Sequence, residues 1–138
     1  MRYTADYELI RGTEHSAGLD LRNAGGLVVI SPKDSAVIST SVHIEIPEGF
    51  VGLVFIRSSL GFRCSATLAN SVGVIDSDYR GEIMVKVVNG GDDPLCIESM
   101  DRFAQLVILP YFNPVLEKID RLSDTERGCG GFGSTGKV

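Results

Sequence analysis

A chain of 138 residues suits one compact domain better than two. The hydrophobic fraction of 43% is typical of a protein that buries a core, and no apolar run is long enough to cross a bilayer. The net charge of -5 argues against a broad basic surface that coats nucleic acid, although a few arginines in one cleft can still bind a small phosphate compound. Residues 1–6 lack the apolar core of a signal peptide, so we expect a cytoplasmic protein without membrane association.

The cysteines and histidines predict neither a disulfide framework nor a metal site. Cys64, Cys96 and Cys129 are odd in number and widely spaced, and no C-x-x-C pair is present. His15 and His43 have no partner at metal-ligand spacing. We therefore expect structural roles for these side chains.

Short strand-like segments separated by glycine and turn residues run through the chain. Residues 42–46 alternate apolar and polar side chains, and residues 52–56 are short, β-branched and aromatic. Residues 83–88 alternate in the same way, and residues 106–110 form an apolar run expected of a strand buried on both faces. Such a series predicts an all-β sandwich or barrel.

One helix is predicted, around residues 60–69, with Ser58 or Ser59 as its N-cap and Gly61 as a weakening residue. Residues 1–122 form the predicted domain. Residues 123–138 are rich in glycine and hydroxyl side chains and nearly lack aliphatic ones, which predicts a mobile arm. A frayed terminus is the alternative, but the aromatic Phe132 among five glycines favours an arm that orders over a ligand.

Two segments in the first half of the chain carry polar groups at glycine-containing bends. Residues 16–21 read Ser-Ala-Gly-Leu-Asp-Leu, in which Asp20 taken alone is a solvated carboxylate on a strand. Residues 57–61 read Arg-Ser-Ser-Leu-Gly, in which Arg57 and the serines offer donors to phosphate. An N-cap beside a surface arginine is an equally good interpretation of this second segment.

The third segment, residues 73–83, is the most informative. Asp76 follows an apolar strand and precedes a turn, which predicts a partly dry, oriented carboxylate able to act as a general base toward a water molecule. Tyr79 offers a flat ring to a sugar, and a β-hairpin at residues 70–80 would expose backbone groups that read a base edge. The alternative is a hairpin whose aspartates serve the turn.

The last two segments flank the end of the predicted domain. In residues 101–105, an extended chain would place Arg102 and Gln105 on different faces, and Arg102 is expected to form a structural salt bridge. In residues 127–136, glycines would let backbone N–H groups approach phosphate closely. Residues 131–137 nearly fit the P-loop pattern, but Val138 replaces its required Ser or Thr, which argues against a Walker-type NTPase.

Together and in this order, the five segments resemble the motifs of the homotrimeric all-β dUTPases, over residues 17–136. The resemblance implies a distorted jelly-roll-like β-barrel and a homotrimer with shared active sites. It implies hydrolysis of dUTP to dUMP and pyrophosphate, which keeps uracil out of DNA and supplies dUMP for dTMP synthesis. Mg²⁺ would be bound mainly through the triphosphate, with Asp20 supporting it indirectly through water.

The resemblance also implies a role for each matching residue. Asp76 and Gln105 would be catalytic and orient the attacking water. The base and sugar would be bound by Asn70, Gly73, Val74, Ile75, Tyr79 and Phe132. The phosphates would be bound by Arg57, Ser58, Ser59, Gln105, Arg127, Gly131, Gly133, Ser134 and Thr135. The arm would close over the active site.

Four positions depart from the family pattern. Ser59 stands where many members have glycine, Met100 stands where glycine usually precedes Asp101, Phe103 is bulkier than usual, and Cys129 lies within the arm motif.

Two other functions remain open from the sequence. A dCTP deaminase-like enzyme of the same fold also uses an Arg-Ser-Ser segment and would need a glutamate such as Glu82 near the 70–80 segment. Zinc-dependent deaminases are excluded because their H-x-E and P-C-x-x-C signatures are missing. A nucleotide-dependent regulatory binding protein with a protein partner is the second alternative.

Overall fold

A computed structural model describes residues 1–131 of the chain. These residues form eleven strands and one helix, and the prediction of an all-β fold with one short helix at most is confirmed. The strands are β1 (Arg2–Thr4), β2 (Leu19–Arg22), β3 (Val28–Ile30), β4 (Ser35–Ser39), β5 (His43–Glu45), β6 (Phe50–Ile56), β7 (Ala66–Leu68), β8 (Gly73–Ile75), β9 (Met84–Asn89), β10 (Leu95–Ile97) and β11 (Arg102–Pro110), and the helix is α1 (Ser58–Cys64).

The strands pair in antiparallel fashion and form four sheets. One sheet has the order β2-β11-β6-β8 and another has the order β4-β9-β7, while β1 pairs with β5 and β10 pairs with β3. Most neighbours are distant in sequence, as in a jelly roll, and this arrangement fits the jelly-roll-like prediction. Within residues 1–131 the four sheets are separate and do not join into one closed barrel.

Alternation along the strands builds the core between the sheets. Val42, Ile44 and Ile46 are 0–3% exposed, while His43 between them points outward, as the sequence pattern predicts. In β9, Val85 and Val87 are buried in the same way. Because side chains on one face of a strand lie two residues apart, this spacing directs a continuous apolar surface into the interior.

The predicted helix over residues 60–69 is wrong at both ends. The helix is α1, its N-cap is Arg57, and no side chain caps it. Ser65 adopts a left-handed conformation with φ 52° and ends it. Residues 66–68 form β7 because Ala66 and Leu68 can then enter the core while the strand pairs with β9.

The prediction that residues 106–110 are buried on both faces is also wrong in part. Leu106 is fully buried, but Leu109 is 43% exposed. Strand β11 has β2 as a neighbour only as far as Leu106, and beyond that residue it keeps only β6. The apolar run therefore reaches past the covered part of the sheet.

Met100 occupies a backbone conformation that favours glycine, with φ 67°. Its amide donates to the Asn23 carbonyl at 2.8 Å, so the backbone is fixed in this conformation. A left-handed residue other than glycine costs about 1–2 kcal/mol, which the greater freedom of an unfolded glycine partly offsets.

We therefore expect Met100→Gly to raise the free energy of unfolding by about 1 kcal/mol in urea titration. Met84→Gly is the control, since it places glycine inside strand β9 and should lower stability. A Met100→Gly protein no more stable than the native one would contradict this reading of the turn.

Candidate active site

The first candidate site is a cavity of about 500 Å³ beside strand β8, called the large cavity below. Its lining includes every residue within 1–131 that was predicted to bind base and sugar, together with Asp76, namely Asn70, Gly73, Val74, Ile75, Asp76 and Tyr79. Apolar core residues such as Val54 and Leu68 also line it. Phe132 lies outside the described residues.

The segment at residues 70–80 is not the predicted β-hairpin. Strand β8 pairs with β6, and the preceding strand β7 pairs with β9 in a different sheet. The sequence identified the strands but not their partners, because local alternation contains no pairing information. Strand β8 ends its four-stranded sheet, so within the described chain its outer edge has no strand beside it. Those unpaired backbone groups are available to a base edge.

Asp76 directly follows β8 and lines the large cavity. It also lines a second, polar cavity with Glu48, Ser77 and Asp78. Contrary to the expectation of a partly dry carboxylate, Asp76 is exposed in the single chain. The reason is its position at the sheet edge, where no further strand of residues 1–131 covers it.

Tyr79 lies on the opposite side of the turn from Asp76, and its amide donates to the Asp76 carbonyl at 3.2 Å. Its ring is 44% exposed, and its hydroxyl donates to the Glu82 carbonyl at 3.0 Å. The ring face is thus available to a ligand while its hydroxyl end is held.

A smaller cavity of about 150 Å³ contains predicted phosphate-binding groups, and it is called the small cavity below. Its lining consists of Gly12, Ser16, Gly18, Asp20, Arg57, Ser58 and Gln105. Ser59 is exposed on α1 and is not part of this lining.

Asp20 is the electrostatic centre of the small cavity. Its side chain is 8% exposed, and its two carboxylate oxygens face Arg57 Nε at 3.3 Å and Arg102 Nη1 at 3.0 Å. The interpretation of Asp20 as a solvated carboxylate is therefore wrong, and the salt bridge predicted for Arg102 is confirmed. Strands β2 and β11 bring the partners together although they are far apart in sequence.

A β-bulge corrects the prediction that Arg102 and Gln105 lie on different faces. The pairing of β11 with β2 shifts between Arg102 and Ala104, and Gln105 then lies directly opposite Asp20. An extra residue reverses the alternation of side chains beyond it. Arg102 and Gln105 consequently both face the Asp20 side, while Phe103 and Ala104 are both buried.

Gly18 provides the space that Gln105 occupies. A Cβ atom at residue 18 would lie 2.6 Å from Gln105 Oε1 and 3.1 Å from Gln105 Cβ. The glutamine side chain therefore packs directly against the glycine backbone, and its position depends on that glycine.

The arm residues within the described range do not line either cavity. Arg127 is exposed, and its Nε donates to the Gly130 carbonyl at 2.9 Å within a turn. Gly131 is half-buried. Gly133, Ser134 and Thr135 lie outside the described residues.

Sequence reasoning missed the position of the Glu82 carboxylate. Its Oε1 accepts hydrogen bonds from Ser39 Oγ at 2.5 Å and from the Ser41 amide at 2.7 Å. The Ser39 hydroxyl, helped by the Ser41 amide and opposed by burial, holds the pKa of Glu82 below its usual range. These partners lie about forty positions away in the sequence, and no local pattern signals them.

Among residues 1–131, no group of three or more His, Cys, Asp or Glu side chains could hold a metal ion. Both oxygens of Asp20 are already paired with arginine. The same part of the chain has no helix long and apolar enough to span a membrane.

No residue lines both the large and the small cavity. One chain therefore presents the predicted base-binding groups and the predicted phosphate-binding groups at two distinct places.

Comparison with known proteins identifies similar chains. The family model described as dUTPase matches residues 8–136. A protein of Desulfitobacterium hafniense named deoxyuridine 5'-triphosphate nucleotidohydrolase is 48% identical over 126 residues, which cover 90% of this chain and 83% of the relative. A protein of the same name from Escherichia phage T5 is 47% identical, over 91% of this chain and 88% of its own length.

Solved structures agree in fold. The Staphylococcus bacteriophage 80alpha dUTPase with dUPNHPP has a TM-score of 0.88 and 29% identity, and the match covers 98% of this chain and 97% of that one. A mutant dUTPase from phage phi11 of S. aureus, described with a structural Mg(II) ion, has a TM-score of 0.77 and 25% identity over 87% of this chain and 96% of its own.

Proposed function

Because the chain belongs to the dUTPase family, we propose that it hydrolyses dUTP to dUMP and pyrophosphate. Such a reaction would keep uracil out of DNA and supply dUMP for dTMP synthesis. The observation that carries the proposal is the large cavity, which combines an open strand edge, an aromatic ring and a carboxylate. These are the groups that a base, a sugar and an attacking water would need.

The base and sugar would bind along β8 in the large cavity. The backbone of Gly73, Val74 and Ile75 forms the free edge of the sheet, and Asn70 lies at the preceding turn. Backbone donors and acceptors at this edge can read uracil as a neighbouring strand would. The Tyr79 ring would pack under the deoxyribose, and Phe132 of the arm would stack on the base.

Asp76 and Gln105 would orient the water that attacks the α-phosphorus. Asp76 supplies a carboxylate that accepts a proton from that water, a role worth about 10²–10⁴ in rate. Gln105 would hold the water and the adjacent phosphate from the small cavity. The water then replaces pyrophosphate, and no covalent nucleophile is needed.

The phosphates would lie in the small cavity. Arg57 and Ser58 line it, and Asp20 holds the Arg57 guanidinium at a fixed position. Preorganised donors of this kind stabilise charge that develops on the leaving group. Ser59, Arg127, Gly131, Gly133, Ser134 and Thr135 would complete the binding of the phosphates from α1 and the arm.

Magnesium would be bound mainly through the triphosphate. The described residues provide no cage for the ion, and the carboxylate of Asp20 is engaged by arginines, so any support from Asp20 would be indirect. When bound, the ion would neutralise charge on the phosphates.

A homotrimer with shared active sites would bring the two cavities of different chains together. A complete site needs both the base-binding and the phosphate-binding groups, and in one chain these line two different cavities. Residues 111–122 also expose large apolar side chains that a neighbouring chain could cover. The most exposed are Phe112 at 87%, Val115 at 99%, Leu116 at 88% and Leu122 at 80%.

We expect light scattering to give the mass of three chains for the native protein. Phe112→Asp combined with Leu116→Asp should shift that mass toward one chain and abolish dUTP hydrolysis, because charged side chains oppose burial at an interface. Phe62→Asp is the control, since Phe62 is 94% exposed on α1, outside the 111–122 segment. A native protein that is fully active as a single chain would contradict the shared-site proposal.

Gly18→Ala should test the position of Gln105. The new Cβ would overlap Gln105 Oε1, so the amide must move away from the small cavity. We expect kcat for dUTP to fall by about tenfold to a hundredfold while KM changes less. Gly26→Ala is the control, because a Cβ at that residue meets nothing within 4 Å. Native kcat in Gly18→Ala would argue against a catalytic role for Gln105.

The proposed reaction is tested by pyrophosphate release from dUTP, dTTP, dCTP and UTP in the presence of magnesium. Rapid release from dUTP alone is the expected result. Ammonia release from dCTP would instead favour the deaminase-like alternative, although Glu82 has its Oε1 engaged by Ser39 and Ser41. Nucleotide binding without release would favour the regulatory alternative. Cytoplasmic location stays a prediction.

A further inference from the structure

We propose that Gly81 and Glu82 fix the Tyr79 ring and thereby determine the preference for deoxyribose over ribose. The inference rests on the proposed hydrolysis of dUTP and on the placement of the sugar against Tyr79. Neither residue was expected from the sequence to contribute to substrate selection.

Gly81 is the support beneath the ring. A Cβ atom at residue 81 would overlap the Tyr79 hydroxyl oxygen and would lie 2.5 Å from Cζ and 2.9 Å from Cε2 of the ring. The ring therefore rests directly on the glycine backbone. Because the overlapping atoms are the far end of a side chain, a residue larger than glycine would displace the ring and leave the backbone in place.

Glu82 holds the same ring by its hydroxyl. The Tyr79 hydroxyl donates to the Glu82 carbonyl at 3.0 Å, so the ring is fixed at its hydroxyl end as well as from beneath. A tyrosine that is 44% exposed would otherwise have several rotamers open to it.

The carbonyl that holds Tyr79 is itself anchored through the Glu82 side chain. Glu82 Oε1 accepts from the Ser39 hydroxyl at 2.5 Å and from the Ser41 amide at 2.7 Å. The next residue continues the attachment, since the Ile83 amide donates to the Val42 carbonyl at 2.8 Å. Hydrogen bonds thus hold the 79–83 segment against the end of β4 and the turn that leads to β5. Neither of these strands belongs to the sheet that contains β8.

A fixed ring matters because a 2′-hydroxyl must be rejected by shape. A pocket that excludes a substrate carrying one added hydroxyl in this way reaches about a hundredfold discrimination. This discrimination is reached only when the Tyr79 ring cannot move away from the added hydroxyl. A variant that loosens the support of the Tyr79 ring should therefore accept UTP. Asp76 and the small cavity are not part of that support, so the variant would still hydrolyse dUTP.

The test compares kcat/KM for dUTP and for UTP in Gly81→Ala and Glu82→Ala. We expect the dUTP-to-UTP ratio to fall by about tenfold in both variants. Glu82→Gln retains an Oε1 acceptor for Ser39 and Ser41, and it should keep the ratio within about twofold of the native value. Glu98→Ala, at an exposed residue outside both cavities, is the control and should leave the ratio unchanged.

A ratio within about twofold of native in folded Gly81→Ala and Glu82→Ala would overturn the inference, even if both activities fell together. A general structural role would lower both activities in proportion. If Glu82→Ala does not fold, Gly81→Ala and Ser39→Ala decide in its place, because Ser39→Ala removes one donor to the carboxylate. A native chain that does not hydrolyse dUTP would overturn the proposed function as well, whereas native hydrolysis with unchanged ratios overturns this inference alone.

Discussion

Replacing Asp76 by Asn should lower kcat for dUTP by about a thousandfold. The amide has nearly the same shape as the carboxylate and keeps an oxygen that can accept a hydrogen bond from the sugar. It cannot take a proton from the attacking water, so the loss should lie in the chemical step. Asp76 occupies the rim of the large cavity at the end of β8, where such a water could meet the α-phosphorus.

The matched control is Asp78→Asn. Asp78 is an exposed aspartate of the same turn, and it lines the polar cavity beside Asp76 but not the large cavity. Initial rates of pyrophosphate release should therefore give a kcat within about threefold of native for Asp78→Asn. The KM of Asp76→Asn should also stay within about threefold. An Asp76→Asn enzyme that retains more than about a tenth of native kcat would remove Asp76 from the base role.

Local alternation predicted which residues enter the core but not which strands pair. The burial of Val42, Ile44 and Ile46 follows from a period of two, which is a property of the chain itself. The prediction of a hairpin at residues 70–80 was wrong because strand pairing depends on the whole sheet. The two strands on either side of Asn70 find partners in different sheets, through residues more than fifteen positions away.

The same distinction between local and long-range information applies to the two cavities of the candidate site. The large cavity is built mainly from one continuous segment, so residues such as Asp76 and Tyr79 were predictable together from their order. The small cavity combines side chains from β2, α1 and β11, and a β-bulge decides which face of β11 they share. Bulges leave no reliable sign in one sequence, and the common orientation of Arg102 and Gln105 was accordingly missed. The anchoring of Glu82 was missed because its partners Ser39 and Ser41 lie about forty positions away in the sequence.

Met100 shows that a residue other than glycine can occupy this turn at the cost of local backbone strain. Glycine was expected there by resemblance, and the backbone does adopt the left-handed conformation that glycine favours. The surrounding turn determines this conformation, since it is attached to Asn23 and Arg22 of the neighbouring chain segment. The structure thus preserves the turn and tolerates the strain.

Loss of the Asp20 carboxylate should strongly lower the stability of the fold. Its buried carboxylate is the shared partner of Arg57 and Arg102, which are 31% and 39% exposed. Asparagine can accept from one guanidinium, but its amide group then faces the donors of the other. Two guanidinium groups would be left close together without a compensating charge. Removing one partner of a buried ion pair costs about 3–5 kcal/mol, and the partial exposure of the arginines favours the lower end of that range.

We therefore expect Asp20→Asn to lower the free energy of unfolding by about 3 kcal/mol in urea titration. It should also lower kcat/KM for dUTP by about a hundredfold, because Arg57 loses the group that holds it in the small cavity. Asp92→Asn removes a carboxylate that is 94% exposed and paired with Lys33 at 3.0 Å. That change should cost less than about 1 kcal/mol, since water already screens the pair. Equal losses of unfolding free energy in the two variants would mean that burial of Asp20 contributes nothing to stability. An Asp20→Asn protein that is stable but inactive would show that Asp20 positions Arg57 without stabilising the fold.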